Sequence, residues 1–225
     1  MGRIQHQPPS TQSAVITTAE GKHAVSHDRA VPQCGPTSVL VRVRAVALNP
    51  TDHKTPARVK TAGLTSGCDF AGEVVQVGEK ANEEPGNCEL PRRWAPGDRV
   101  FGVVYGSNPG APDWGAFAEF VEADPVMLCH IPEDWDWETA ASVGGSVHGS
   151  VALCLFGDGR LALDTGAIKL IGKNSNGTTP AATANGHLGE SSKSGGLSKE
   201  DLKKVVLVYG GSTACGTMAL QTLRL

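Results

Sequence analysis

The segment Lys203-Lys-Val-Val-Leu-Val-Tyr-Gly-Gly-Ser-Thr-Ala-Cys-Gly216 constrains the fold more than any other part of the chain. Val205 to Val208 is an unbroken apolar run, the pattern of a strand buried on both faces of a parallel sheet. It passes directly into the glycine-containing stretch Tyr209 to Gly216, and Thr217 to Leu223 reads as a helix. Strand, glycine turn and helix open a dinucleotide-binding unit, in which N–H groups at the helix start face a pyrophosphate. The spacing Gly211-x-Thr213-x-x-Gly216 keeps the first and third glycines of that fingerprint and replaces the second. A βα turn of any α/β domain fits the same residues. A parallel strand needs a neighbour reached by a crossover, and no further strand follows. The expectation is therefore a cofactor domain that begins here and is not completed.

The rest of the chain is turn-rich. Its 28 glycines and 14 prolines among 225 residues favour short strands over a helical bundle. Residues 1–13 read as a loose arm. Strands are expected at Ala14–Thr18 and His23–Ser26, with a loop from Asp28 to Ser38. Val39 to Leu48 is the clearest strand: Val39, Val41, Val43, Ala45 and Ala47 share one face, and Arg42 and Arg44 take the other. Pro50 ends it in a polar loop, Asn49 to Lys54. Further strands are expected at Gly67–Gly78, Arg99–Tyr105, Ala116–Glu122 and Val126–Ile131. Asn82–Arg93 reads as an exposed excursion, Ala95–Asp98 as a turn and Gly106–Gly115 as a loop. Asp134 caps a short helix through Ser142; Val143-Gly-Gly145 interrupts it, and Ser146–Leu155 forms a second. Gly172 to Ser198 is low-complexity and reads as a linker.

A net charge of −3 gives no basic footprint for nucleic acid or an anionic membrane. No run approaches membrane-spanning length, and the N-terminus has no apolar signal core. Cysteines stand at 34, 68, 88, 129, 154 and 215 with no C-x-x-C pair, which argues against a zinc ribbon or redox dithiol. Cys68, Cys129 and Cys154 lie in apolar stretches and read as buried free thiols, which favours a reducing compartment and a cytoplasmic protein.

Gly67-Cys-Asp-Phe-Ala-Gly72, Pro96-Gly-Asp-Arg-Val-Phe-Gly102 and Gly115-Ala-Phe-Ala-Glu-Phe120, followed by helices and the terminal glycine turn, resemble the medium-chain dehydrogenase/reductase superfamily. The resemblance covers residues 14–225 apart from the linker. Asn49-Pro-Thr-Asp-His-Lys54 and Tyr209-Gly-Gly-Ser-Thr-Ala214 are most similar to the trans-acting enoyl reductases of fungal polyketide pathways. The resemblance implies an α/β chain: a β-rich GroES-like module with its following helix at 14–165, a linker at 166–200 and the start of a Rossmann domain at 201–225. It also implies zinc-free, NADPH-dependent reduction of an α,β-unsaturated acyl thioester on the carrier protein of a separate polyketide synthase. Zinc-using relatives carry His-Glu where this chain has Cys68-Asp69, and relatives with a structural zinc cluster four cysteines where Cys88 stands alone.

By the same resemblance, Thr51, Asp52, His53 and Lys54 line the cofactor from the β module, and Ser212, Thr213, Ala214 and Cys215 hold its phosphates. The acyl channel maps onto His148, Gly149, Ser150, Val151, Ala152, Leu153, Cys154 and Leu155. His53, His148 and Cys215 depart from the family's usual residues, and the bulk of His148 narrows the channel. Lys54 is the candidate catalytic residue; a solvated loop lysine is its plain alternative. Asp52 orients Lys54 or closes the loop as an Asx turn. Tyr105 donates to the thioester or is a packed ring with a wet hydroxyl. Asp69 fits a hydrogen-bonded brace better than a ligand, and His148 a partly buried helix residue better than an acid. Trp94, Trp114, Trp135 and Trp137 read as packing residues, with Trp114 also a candidate acyl contact. Two other functions fit: a zinc-free quinone oxidoreductase, and a non-catalytic remnant in which the 225 residues alone have little reductase activity.

Overall fold

The computed structural model describes residues 7–83, 93–157, 161 and 206–223. The expected linker, Cys88, Val205 and most of the 82–93 excursion lie outside them. The chain divides into two compact units, Met1–Ser146 and Val147–Leu225.

The first unit begins with an antiparallel pair, β1 (Thr11–Thr17) and β2 (His23–Ala30). β2 runs beyond the expected strand because pairing with β1, not an apolar face, makes it; its side chains are mostly exposed. The connecting turn places Gly21 at φ 74, where an added Cβ would lie 2.8 Å from the backbone of Ala57.

A five-stranded antiparallel sheet follows. It contains β3 (Val39–Ala47), β4 (Asp69–Val77), β5 (Arg99–Val103), β6 (Phe120–Ala123) and β7 (Leu128–His130), in the order β6-β3-β4-β5-β7. The first half of β3 alternates as expected, and Val39, Val41 and Val43 join Phe70, Val74, Val100, Val121 and Leu128 in the main core. The ladder then shifts register between Val43 and Ala45. One unpaired residue carries the pattern across the sheet, so Ala45 packs with Ala71, Ile131, Ala140 and Ala141 instead. The single apolar face read from the sequence is therefore two half-faces.

β6 starts later than expected. Residues 116–119 bond outside its ladder: Ala116 N donates to Gly67 O at 3.0 Å, and Val15 N to Phe117 O at 2.7 Å. Residues 125–127 form a 3₁₀ turn rather than strand, with Asp124 as its N-cap.

The polar loop expected after β3 is a helix, α1 (Pro50–Val59). Pro50 does end the ladder, but at the first helical position its missing N–H costs nothing and its fixed φ favours the helix. Asn49 is the N-cap, and Lys60 closes the helix at φ 51. α2 (Trp137–Val143) is capped by Asp136, whose Oδ1 accepts from Thr139 N at 2.7 Å, and not by Asp134. Arg99 holds the approach to it, donating to Trp135 O at 2.5 Å and lying 4.6 Å over the Trp137 ring. Gly144, at φ 46, separates α2 from α3 (Gly145–Phe156).

In the second unit, residues 206–208 form no strand, and Leu207 is 89% exposed. A parallel strand exists only against a neighbour, and none pairs with it among the described residues. α4 (Ala214–Thr222) starts three residues earlier than the sequence suggested, because Thr213 caps it.

Candidate functional site

Asn49 is the residue from which the site in the first unit is built. It stands where β3 gives way to α1, and its backbone N donates to Asp52 Oδ2 at 2.7 Å. An acidic residue at the third helical position pairs with the N-cap in this way and also faces the positive end of the helix dipole. Asp52 is consequently buried, at 6% exposure, and closes the turn rather than orienting Lys54; its Oδ1 is buried without a hydrogen-bond partner. Thr51, His53 and Lys54 are exposed, and the Thr51 hydroxyl meets that of Thr55 at 3.1 Å. Four consecutive candidates thus divide into three side chains on the exposed surface of α1 and one turned inward.

Asp69 lies behind this turn. Its Oδ2 accepts from Asn49 Nδ2 and its Oδ1 from Ser146 N, both at 2.8 Å. Burial pushes its carboxyl above the usual range; the bonds from Ser146 and Asn49 act against that rise, and the Asp52 carboxylate adds to it. Both oxygens are occupied by protein donors, as a brace requires. Beside it, burial pushes the Cys68 thiol up to about 12, with the Asp52 and Asp69 charges contributing. A thiol held protonated is a poor nucleophile and a poor metal ligand. Among the described residues no three His, Cys, Asp or Glu side chains gather as a metal site. The sequence reading left Asn49 and Ser146 out of its site; the motif at 49–54 contained the first, and only the fold brings in the second.

Tyr105 is 55% exposed and Trp114 38% exposed, both at the 106–115 loop. That loop is anchored by the Arg29–Asp113 ion pair at 2.7 Å and by Ser66 and Ser107, whose hydroxyls lie 3.1 Å apart in the interior. The expected substrate residues occupy α3. Val151 and Leu155 are buried with Val147 at i, i+4, i+8 spacing, whereas His148, Gly149, Ser150, Leu153 and Cys154 are exposed and Ala152 is half-buried. His148 is thus not a partly buried residue. Cys129 and Cys154, read from the sequence as buried thiols, are exposed; apolar sequence neighbours do not fix which way a side chain in a three-residue strand or on a helix faces.

The glycine turn of the second unit fits a phosphate-holding helix start. Gly210 adopts φ 81, and a Cβ on Gly216 would collide with Gly210 O. Thr213 replaces the missing middle glycine with a cap: its hydroxyl donates to Gly210 O at 2.8 Å and accepts from Gly216 N at 3.1 Å. The turn residue is therefore Gly210 rather than Gly211. The helix start keeps the amides of Ala214 and Cys215 at its positive end, the arrangement that favours an anion.

Comparison with known proteins agrees with this architecture. Residues 35–133 match the alcohol dehydrogenase GroES-like domain. A solved alcohol dehydrogenase superfamily protein from Novosphingobium aromaticivorans superposes with a TM-score of 0.55 at 25% identity, over 68% of this chain and 43% of that one. The GroES-like β module resembles that of the alcohol dehydrogenase superfamily. The chain's sequence is in turn similar to the fungal trans-enoyl reductases. It is 72% identical over 219 residues to trans-enoyl reductase ucsL of an Acremonium species, covering 97% of this chain and 53% of that protein. It is 36% identical over 223 residues to trans-enoyl reductase mycC of Thermothelomyces thermophilus, covering 99% and 52%. The chain spans about half the length of the curated relatives it matches.

Proposed function

We propose that this chain is the β module and cofactor-domain start of a cytosolic trans-acting enoyl reductase. It would reduce an α,β-unsaturated acyl thioester carried on the acyl carrier protein of a separate polyketide synthase, with NADPH as reductant. The 72% identity to a trans-enoyl reductase over nearly the whole chain carries this reading. NADPH, when bound, supplies the hydride that adds to the β-carbon, after which the α-carbon takes a proton. The chain's own part is positioning and charge balance. The start of α4 and the turn at Gly210–Gly216, with Ser212, Thr213, Ala214 and Cys215, would hold the pyrophosphate. Thr51, His53 and Lys54 would line the cofactor from α1, with buried Asp52 fixing the helix that presents them. Lys54 would neutralise charge or deliver the proton, and the exposed surface of α3 from His148 to Cys154 would meet the acyl chain.

The deciding experiment offers the full-length enzyme NADPH with crotonyl-CoA, with a carrier-bound enoyl chain, and with a quinone. Thioester reduction fastest on the carrier-bound substrate is expected. Rapid quinone reduction without thioester turnover would instead make the protein a quinone oxidoreductase.

A further inference from the structure

Two helix starts that carry proposed site residues meet at one buried carboxylate. Asp69 is 1% exposed, and its two oxygens receive donors 20 and 77 residues away in sequence, Asn49 Nδ2 and Ser146 N. Asn49 is the N-cap of α1, which presents Thr51, His53 and Lys54. Ser146 is in the first turn of α3, whose later residues are the proposed acyl contacts. The first amides of any helix need acceptors from outside it. The residues just before Ser146 are Gly144 and Gly145, which have no side chain to offer, so Asp69 supplies the acceptor from β4. The fit leaves no spare room, since a Cβ on Gly144 would lie 2.7 Å from Asp69 Oδ2.

We propose that Asp69 is a positioning residue of the enzyme, fixing the start of α1 and the Gly144–Ser146 joint to a single carboxylate within the first unit, so that α1 presents its side chains in one geometry. Its effect on turnover rests on the reductase reading; the linkage itself does not. A carboxylate accepts at both oxygens, whereas an asparagine in its place accepts at one and turns an NH₂ towards the other donor. Exchanging the two partners, as N49D/D69N, reverses one bond and keeps both. The amide now on β4 would donate to the carboxylate now at the N-cap of α1, and its carbonyl oxygen would still accept from Ser146 N.

The test compares Asp69→Asn, Asn49→Ala and the exchange N49D/D69N. Amide hydrogen exchange is measured on the chain itself, and kcat and KM for crotonyl-CoA on the full-length enzyme. Asp69→Asn should lose about tenfold of its protection at Ser146 and in the first turn of α1. Asn49→Ala should lose protection in α1 alone. In the full-length enzyme Asp69→Asn should lower kcat by on the order of tenfold to a hundredfold, with KM changed far less. The exchange should recover most of the protection and of kcat, which a role in bulk or net stability would not produce. Unchanged protection in the single variants would overturn the proposal. So would an exchange variant as impaired as Asp69→Asn. If Asp69→Asn does not fold, Asn49→Ala and the exchange still decide: an unfolded exchange variant, or Asn49→Ala loosening Ser146 as much as α1, counts against the linkage. A wild-type enzyme that leaves crotonyl-CoA untouched would refute the reductase reading while the exchange data still judged the linkage.

Discussion

Burial, reinforced by the negative charges of Asp52 and Asp69, holds the Cys68 proton and gives the first unit an alkaline pH response. The thiol's ordinary value is 9.0, and in the folded chain it lies at about 12. Between those values the unfolded chain loses this proton while the folded chain keeps it. The folded state then binds more protons, so the contribution to stability is full below pH 9 and is lost as pH rises towards 12. Replacing Cys68 with alanine should flatten the alkaline limb of a melting-temperature profile; a limb as steep as the parent's would contradict this account. Mass-spectrometric mapping after brief iodoacetamide treatment at neutral pH should find exposed Cys129, Cys154 and Cys215 modified ahead of Cys68. Lys54 presents the opposite case. Its side chain is exposed, so Lys54→Met should leave the melting temperature within about 2 °C. In the full-length enzyme it should lower kcat by roughly a hundredfold or more if it delivers the proton. A loss below about threefold would return it to a solvated surface lysine.

Helix α1 shows which local signals the sequence carried and which it concealed. Asn49, Pro50 and Asp52 form an N-cap, a first-position proline and a third-position acid, a start signal legible in advance. Pro56 inside the helix and a lysine at its C-cap hid the rest, since an interior proline ordinarily argues for a break. Tertiary contacts outweigh that cost: Gly21 packs on Ala57, and Thr17 Oγ1 donates to Thr61 O at 2.5 Å just beyond the helix. The α2–α3 joint was legible as an interruption at the glycine pair, but not as a packing contact with a carboxylate from β4. Two glycines near that joint should therefore respond oppositely to alanine. At Gly144 the backbone is at φ 46 and the new Cβ would press on Asp69, so Gly144→Ala should cost about 1–3 kcal/mol. That corresponds to a fall of roughly 2–12 °C in melting temperature for a chain of this size. Gly149 lies within α3 with no described atom within 4 Å of an added Cβ, and alanine there should stabilise by about 0.5–1 kcal/mol. Calorimetry showing the same sign for both would refute the reading of the joint.

Across the whole molecule, turns and alternation in the sequence located nearly every strand of the five-stranded sheet, because each was a short apolar segment bounded by glycine or proline. The pairing order was not legible, since it depends on contacts such as Val41 with Val74 that no local pattern encodes. The terminal run is the instructive exception. Val206 to Val208 has the composition of a buried strand, yet Leu207 is 89% and Tyr209 99% exposed among the described residues. Composition states what a strand would bury, but a partner must supply the hydrogen bonds. The main core, by contrast, draws on residues 39–128 of the first unit alone. It follows that the first unit should keep its protected amides whether or not the remaining half of the relatives' length is present. The amides of 206–208 should exchange nearly as fast as in an unfolded chain in the 225-residue protein. In a full-length form they should be slowed by a hundredfold or more as neighbouring strands form, and affinity for the nicotinamide cofactor should rise with them. Protection at 206–208 in the 225-residue protein would show that the strand finds a partner without the additional sequence, and would remove the physical basis for linking cofactor binding to the longer chain.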